Sequence, residues 1–216
     1  MKLQEIMEKH FNGLSITPDF YHQWNIGIHL ELGNDIYQFG DNNRLNMERF
    51  NTIYKQVSAI VPILFKKMDD VLVVVNSYPH ETNKVVYPNF FKRYVKKQKL
   101  KYFLHLHEFH WQFDEDNLLI QQMTLFCKAS DLKIEQLLKT LIHEDFHTLQ
   151  PRLRKAHCYY APDVFLINVN TNCIFHLYDD RGCEIISADK ELHEKYLETF
   201  SGWELQEKSL SFRLST

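Results

Sequence analysis

Three apolar runs, "DVFLINV" (163–169), "CIFHLY" (173–178) and "CEIIS" (183–187), are separated by only three and four residues. A parallel pair needs a crossover of a dozen residues or more, so strands joined this closely must run antiparallel. "DVLVVVN" (70–76), an unbroken β-branched run, predicts a central strand. Trp24, Ile26, Ile28, Leu30 and Leu32 alternate with polar or small residues, the period of a half-buried strand. "LKYFLHLH" and "NLLIQQMTLF", on either side of the polar "DEDN", predict a hairpin.

Helical spacing fills the intervals. Leu3, Ile6, Met7 and Phe11 form one side of a helix within residues 1–13, and Met47, Phe50, Tyr54, Val57, Val61 and Leu64 mark another over 43–65. Pro62 is expected to kink or interrupt the second. Further helices are predicted over 88–98, over 131–149 (capped by Ser130 or Asp131 and closed by Pro151) and over 189–200. Helices and strands interleave, yet several strands are joined by tight turns. The expectation is an α+β fold: one domain spanning 1–216, with a mixed, largely antiparallel sheet flanked by helices.

Composition narrows the function classes. A net charge of −3 provides no global attraction for phosphate, so nucleic acid is not expected as a partner. The basic run "KRYVKKQKLK" (92–101) reads as a solvated helix face. No stretch approaches about 18 consecutive apolar residues, and the N-terminus lacks the pattern of a signal peptide, so no membrane contact is expected and the compartment reads as cytoplasm. Cys127, Cys158, Cys173 and Cys183 contain no C-x-x-C pair and read as buried thiols.

"HEDFH" (143–147) satisfies the H-E-x-x-H pattern, in which two histidines one helical turn apart hold zinc and the glutamate activates a bound water. On a helical wheel Ile134, Leu137, Leu138, Leu141, Ile142, Phe146 and Leu149 form one apolar arc. His143 and His147 fall opposite it, on the solvent face, and no third ligand follows before the chain meets Pro151. The motif therefore reads as a solvated helix, with no metal and no cofactor expected. His105, His107 and His110 in "HLHEFHW" lack an assignable acidic or cysteine partner and read as a polar strand face.

Two features resist a plain packing explanation. The wheel places Asp145 near the centre of the apolar arc, where a carboxylate must be paired, and Arg181 is the first cation to consider. "FHLYDDRGCEII" (175–186) displays Tyr178, Asp179, Asp180 and Arg181 on a hairpin. Gly182 could supply a positive φ there, and an aspartate could bond the turn backbone.

The same segment carries a resemblance. "IFHLYDDRGCEII", a following short helix and Gly202-Trp203 resemble an uncharacterised bacterial family known as a domain of unknown function. "WNIGIHLELG", "FFKRYVKKQKLKY", "CKASDLKIEQLLK", Asp145-Phe146 and "PDVFLINVNTNCIFH" fit the same pattern. The resemblance covers most of the chain and implies no catalytic residues. By type and setting such proteins are similar to immunity proteins kept beside toxins.

These readings converge on a non-enzymatic interaction protein of immunity type, with a protein partner such as a toxin. Its binding residues are expected to be Tyr178, Asp179, Asp180, Arg181 and Asp145. The competing class is a hydrolase, using either His143, Glu144 and His147 with zinc or acidic residues such as Asp145. No nucleophile elbow, phosphate loop or dinucleotide fingerprint is present to support catalysis.

Overall fold

A computed structural model describes residues 2–41, 43–79, 90–113, 116–154, 160–203 and 205–208. The chain order is α1 (Leu3–His10), α2 (Phe20–Gln23), β1 (Gly27–Glu31), α3 (Met47–Leu64), β2 (Asp70–Ser77), α4 (Phe90–Tyr94), β3 (His105–Phe113), β4 (Asp116–Lys128), α5 (Ile134–Ile142), β5 (Asp163–Asn168), β6 (Cys173–Leu177), β7 (Gly182–Ser187), α6 (Lys190–Thr199) and β8 (Leu205–Lys208). The strands form one eight-stranded sheet in the order β3-β4-β2-β5-β6-β7-β1-β8. Every described pairing is antiparallel, so the fold is α+β. Among the described residues no helix is long and apolar enough to cross a membrane.

The short turns produce the meander β5-β6-β7 in the centre of the sheet. Asn168 closes its first turn from a fully buried position: Oδ1 accepts from the Asn170 and Thr171 amides at 3.0 and 3.3 Å, while Nδ2 donates to the Leu64 carbonyl at 2.7 Å. The end of α3 is thereby tied to the turn. "DVLVVVN" becomes β2, between β4 and β5, and both of its faces are covered. Val71, Val73 and Val75 meet α3 and α5, whereas Leu72 and Val74 meet Ile6, Met7, Phe11 and Phe20 from the N-terminal segment. Burial on both faces is why the run has no polar alternation.

Several boundaries differ from expectation. Residues 98–103 form a 3-10 helix, so β3 begins only at His105, and α4 already ends at Tyr94. Residues 114 and 115 of the "DEDN" turn lie outside the described residues, as does Cys158. Pro62 does not interrupt α3. It sits in the last turn, so only the end of the hydrogen-bond ladder is disturbed, and the Phe65 amide still reaches the Val61 carbonyl at 2.8 Å. α3 starts at Met47 because Asn46 caps it, accepting from the Glu48 amide at 3.2 Å. β8 was not expected.

The face covered by the N-terminal helices carries a polar cluster at one end. His176 is buried with its ring stacked on Phe165, centroids 4.3 Å apart. Its Nδ1 lies 3.3 Å from Glu184 Oε2 and its Nε2 3.8 Å from Asp163 Oδ1. Burial by itself would lower the histidine pKa, but the two carboxylates more than offset this and lift it to about 9. The imidazolium is thus favoured in the folded state. Its stabilisation is fully present below the ordinary histidine value of 6.5 and is lost as pH rises through about 9. Denaturant unfolding between these limits is expected to show stability falling by up to roughly 3 kcal/mol, a slope that His176→Gln removes. Identical slopes in the two proteins would show that His176 is not the charged group.

Candidate functional site

The site is built around one buried arginine. Arg49 lies in the first turn of α3 and faces inward, 8% exposed. Its Nε donates to Asp180 Oδ2 at 3.1 Å, and Nη2 donates to the Asp180 and Leu32 carbonyls, each at 3.2 Å. Nη1 donates to the Ile36 carbonyl at 2.9 Å and to the Gly33 carbonyl. All five guanidinium donors are used. Gly33 is required twice over: its φ is +64°, and a Cβ there would lie 2.8 Å from Arg49 Nη1.

Asp180, 1% exposed, is therefore an internal tie and no part of a display surface. Burial raises its carboxyl above the ordinary value, while hydrogen bonds from Gln38 and Arg49 pull it back. Asp179 is also buried. Its Oδ1 accepts from the Arg181 amide at 2.7 Å, closing the turn as an aspartate does, and its Oδ2 accepts from Arg181 Nε at 2.8 Å. Arg181 Nη2 donates to the same Oδ2, so one edge of the guanidinium is taken while the side chain remains 66% exposed. Hydrogen bonding to Asp179 pushes its pKa further up. Gly182 has no positive φ; it is needed for close approach, since a Cβ would meet the Leu30 carbonyl at 2.8 Å and overlap the Tyr178 hydroxyl.

Tyr178 is separated from its three neighbours. Strand alternation turns it to the sheet face of the N-terminal helices, where its hydroxyl lies 2.7 Å from His29 Nε2 and the two rings stack.

Asp145 is exposed, contrary to the wheel, and α5 stops at Ile142. Beyond it the amides of His143, Glu144, Phe146 and Leu149 each bond the carbonyl three residues back. About three residues per turn replace 3.6, so positions past 142 rotate away from their α-helical directions. Phe146 stays inside, its ring 4.9 Å from that of Phe50, while Asp145 swings out.

This rotation also decides the H-E-x-x-H motif. His143 is buried rather than solvent-facing, and its two ring nitrogens are both engaged: Nδ1 with the Pro151 carbonyl at 3.3 Å, Nε2 with the Tyr54 hydroxyl at 2.6 Å. A carbonyl only accepts, so Nδ1 carries the proton and Nε2 accepts from Tyr54. Burial holds the ring below the ordinary histidine pKa. Glu144 is buried too, accepting from the Leu153 and Arg154 amides. His147 is exposed. The two histidines do not share an α-helical turn, and the described residues contain no group of three ligands able to hold a metal. His105, His107 and His110 are exposed along β3.

Asp145 and Arg181 do come together. Both line an open cleft of about 790 Å³ with Gln38, Phe39, Arg44, Leu45, Phe146, His147 and Leu149. One wall is the 36–46 loop, a small hairpin in which Phe39 bridges Leu45 and the Gly40 amide bonds the Arg44 carbonyl at 2.9 Å. Phe39 is 50% exposed, and its neighbour Tyr37 is 87% exposed. Sequence reasoning missed this wall, although two aromatics within the Gly/Asn-rich "DIYQFGDNNRLN" were a visible sign.

The model of a domain of unknown function (DUF3885) matches residues 3–208. The chain belongs to the DUF3885 family. A protein of Bacillus subtilis (strain 168), "Uncharacterized protein YnaE", is 35% identical over 207 residues, spanning 91% of this DUF3885 chain and 95% of its own. No solved structure matches.

Two outcomes follow from the geometry. Arg49→Met strands the Asp180 carboxylate in the interior and should cost about 3–5 kcal/mol in urea unfolding, with much of it recovered in Arg49→Met/Asp180→Leu. A single variant within about 1 kcal/mol of wild type would remove the tie from the account. Elemental analysis of purified protein should find no stoichiometric zinc, and His147→Ala should change neither metal content nor melting temperature. One zinc per chain, lost in that variant, would restore the metallopeptidase reading.

Proposed function

We propose that this DUF3885 protein is a non-enzymatic, cytoplasmic interaction module of the immunity type, neutralising a toxin by covering part of its surface. The observation that carries the reading is Arg181. Its guanidinium is aligned by buried Asp179, on a hairpin clamped through Asp180 and Arg49, and it projects at a cleft edged by exposed Phe39. Arginine and aromatic side chains carry most of the energy in protein interfaces, and an aligned one loses little entropy on docking. Asp145 and Arg44 add charges of both signs around an apolar floor of Leu45, Phe146 and Leu149. A matching partner presents a carboxylate to Arg181 and an apolar side chain to the floor. The free thiols of buried Cys127, Cys173 and Cys183 suit a reducing compartment.

The test uses the product of the gene beside this one as the candidate partner, in titration calorimetry. Arg181→Ala should weaken binding by about 2 kcal/mol or more, roughly 30-fold, with an unchanged melting temperature. Phe39→Ala should weaken it through lost apolar contact. Unchanged affinity in the Phe39→Ala/Arg181→Ala double variant would exclude the cleft as the docking surface.

A further inference from the structure

Basic side chains from three separate stretches meet at the start of α5. An open cleft of about 680 Å³ lies there, against the last turns of α3. Lys67 follows α3, Lys96 follows α4 and Lys133 precedes α5; all three line the cleft and are exposed. Lys96 Nζ donates to the Ser130 carbonyl at 2.7 Å, a contact that leaves its charge uncancelled. Glu135 is the one carboxylate among the described lining residues, and nearby Asp131 is already paired with Lys97 at 2.7 Å. Lys133 occupies the N-cap of α5 and supplies no side-chain hydrogen bond. The first amides of a helix lack intrahelical acceptors, which adds partial positive charge at the same place.

Just beyond Lys96 and Lys97 comes the 3-10 helix of residues 98–103, none of which is buried. It carries exposed Lys99 and Lys101 and two bare rings, Tyr102 78% and Phe103 66% exposed. Lys101 Nζ lies 5.5 Å from the centre of the Tyr102 ring, so cation and ring are offered side by side. Spacing puts the basic run 92–101 on one helix face, yet α4 stops at Tyr94. The lysines are instead shared between the cleft and this ridge beside it.

We propose that this face binds single-stranded nucleic acid, with phosphates along Lys67, Lys96, Lys133, Lys99 and Lys101 and bases stacked on Tyr102 and Phe103. The whole chain carries −3, so the positive charge here is a local inversion, the footprint expected for a polyanion. Lysines spread from the cleft to the ridge match a run of phosphates better than one small anion. A concave cleft admits a strand and excludes the flat surface of a bilayer. A duplex hides its base faces by stacking them, so a single strand is what gives the two bare rings a partner. This face lies at the opposite end of the α3–α5 pair from the Arg181 cleft and shares no lining residue with it. The two proposals therefore fail independently.

Fluorescence anisotropy of labelled, mixed-sequence RNA and DNA strands of about 12 nucleotides should show micromolar binding in about 50 mM salt. Affinity should fall with added salt, by a slope of about 0.7 in the logarithms for each phosphate neutralised. Lys67→Gln/Lys133→Gln and Lys99→Gln/Lys101→Gln, on separate segments, should each flatten that slope by roughly 1.4 with an unchanged circular dichroism spectrum. Tyr102→Ala/Phe103→Ala should weaken binding about tenfold or more and leave the slope as it was. A matched duplex and phosphatidylglycerol vesicles should each bind at least about tenfold more weakly than the strand. A strand that neither RNA nor DNA form binds at these concentrations, slopes unchanged in both lysine variants, or vesicles held as tightly as the strand would overturn the proposal.

Discussion

The arrangement of this DUF3885 fold depends on the saturated guanidinium of Arg49. Four segments (the end of β1, the loop after it, the start of α3 and the β6-β7 turn) all meet at this group. A buried cation of this kind is costly when one partner is missing, so the segments are fixed together or not at all. An apolar residue could fill the volume, but it could not orient four carbonyls and a carboxylate. The ion pair contributes specificity of position, and the cleft inherits its shape from that.

Rigidity then passes outward in steps. Asp180 fixes the turn, and Asp179 fixes the Arg181 backbone and, through Nε and Nη2, one edge of its guanidinium, leaving the rest to solvent. Two adjacent aspartates that look alike in sequence divide the work, one facing in and one facing its neighbour. The loop carrying Phe39 is held from the other side by Gln38, whose amide reaches Asp180 at 3.0 Å. Both walls of the cleft therefore refer to the same carboxylate.

The sheet was legible because its signals are local: short turns between apolar runs, unbroken β-branched segments and alternation in β1. α6 was equally plain, with Asp189 capping it through the Leu192 amide. The cleft was legible only in part. Arg181 stood out because its neighbours are charged, yet nothing local distinguishes the inward Asp180 from the turn-closing Asp179. Arg49 was invisible, since one cation beside the apolar stripe of α3 reads as a boundary residue until its distant partners are known. Asp145 was misplaced because the wheel assumed an α-helical pitch past Ile142, and the change to three-residue turns is set by tertiary packing. The H-E-x-x-H match failed for the same reason: the motif is a pattern of spacing, and the spacing has meaning only on a true α-helix.

The position of β1 has a consequence for how the chain assembles. Ile28 pairs with Ile185 and Leu30 with Cys183, so an early strand closes against one of the last to be made. During synthesis β1 has no strand neighbour until β7 leaves the ribosome, and the sheet face that α1 and α2 cover is incomplete before then. The meander can form among itself; the N-terminal segment must wait. Such long-range closure slows folding and prolongs the exposure of sticky surface, which makes the emerging N-terminal segment the natural client for a chaperone.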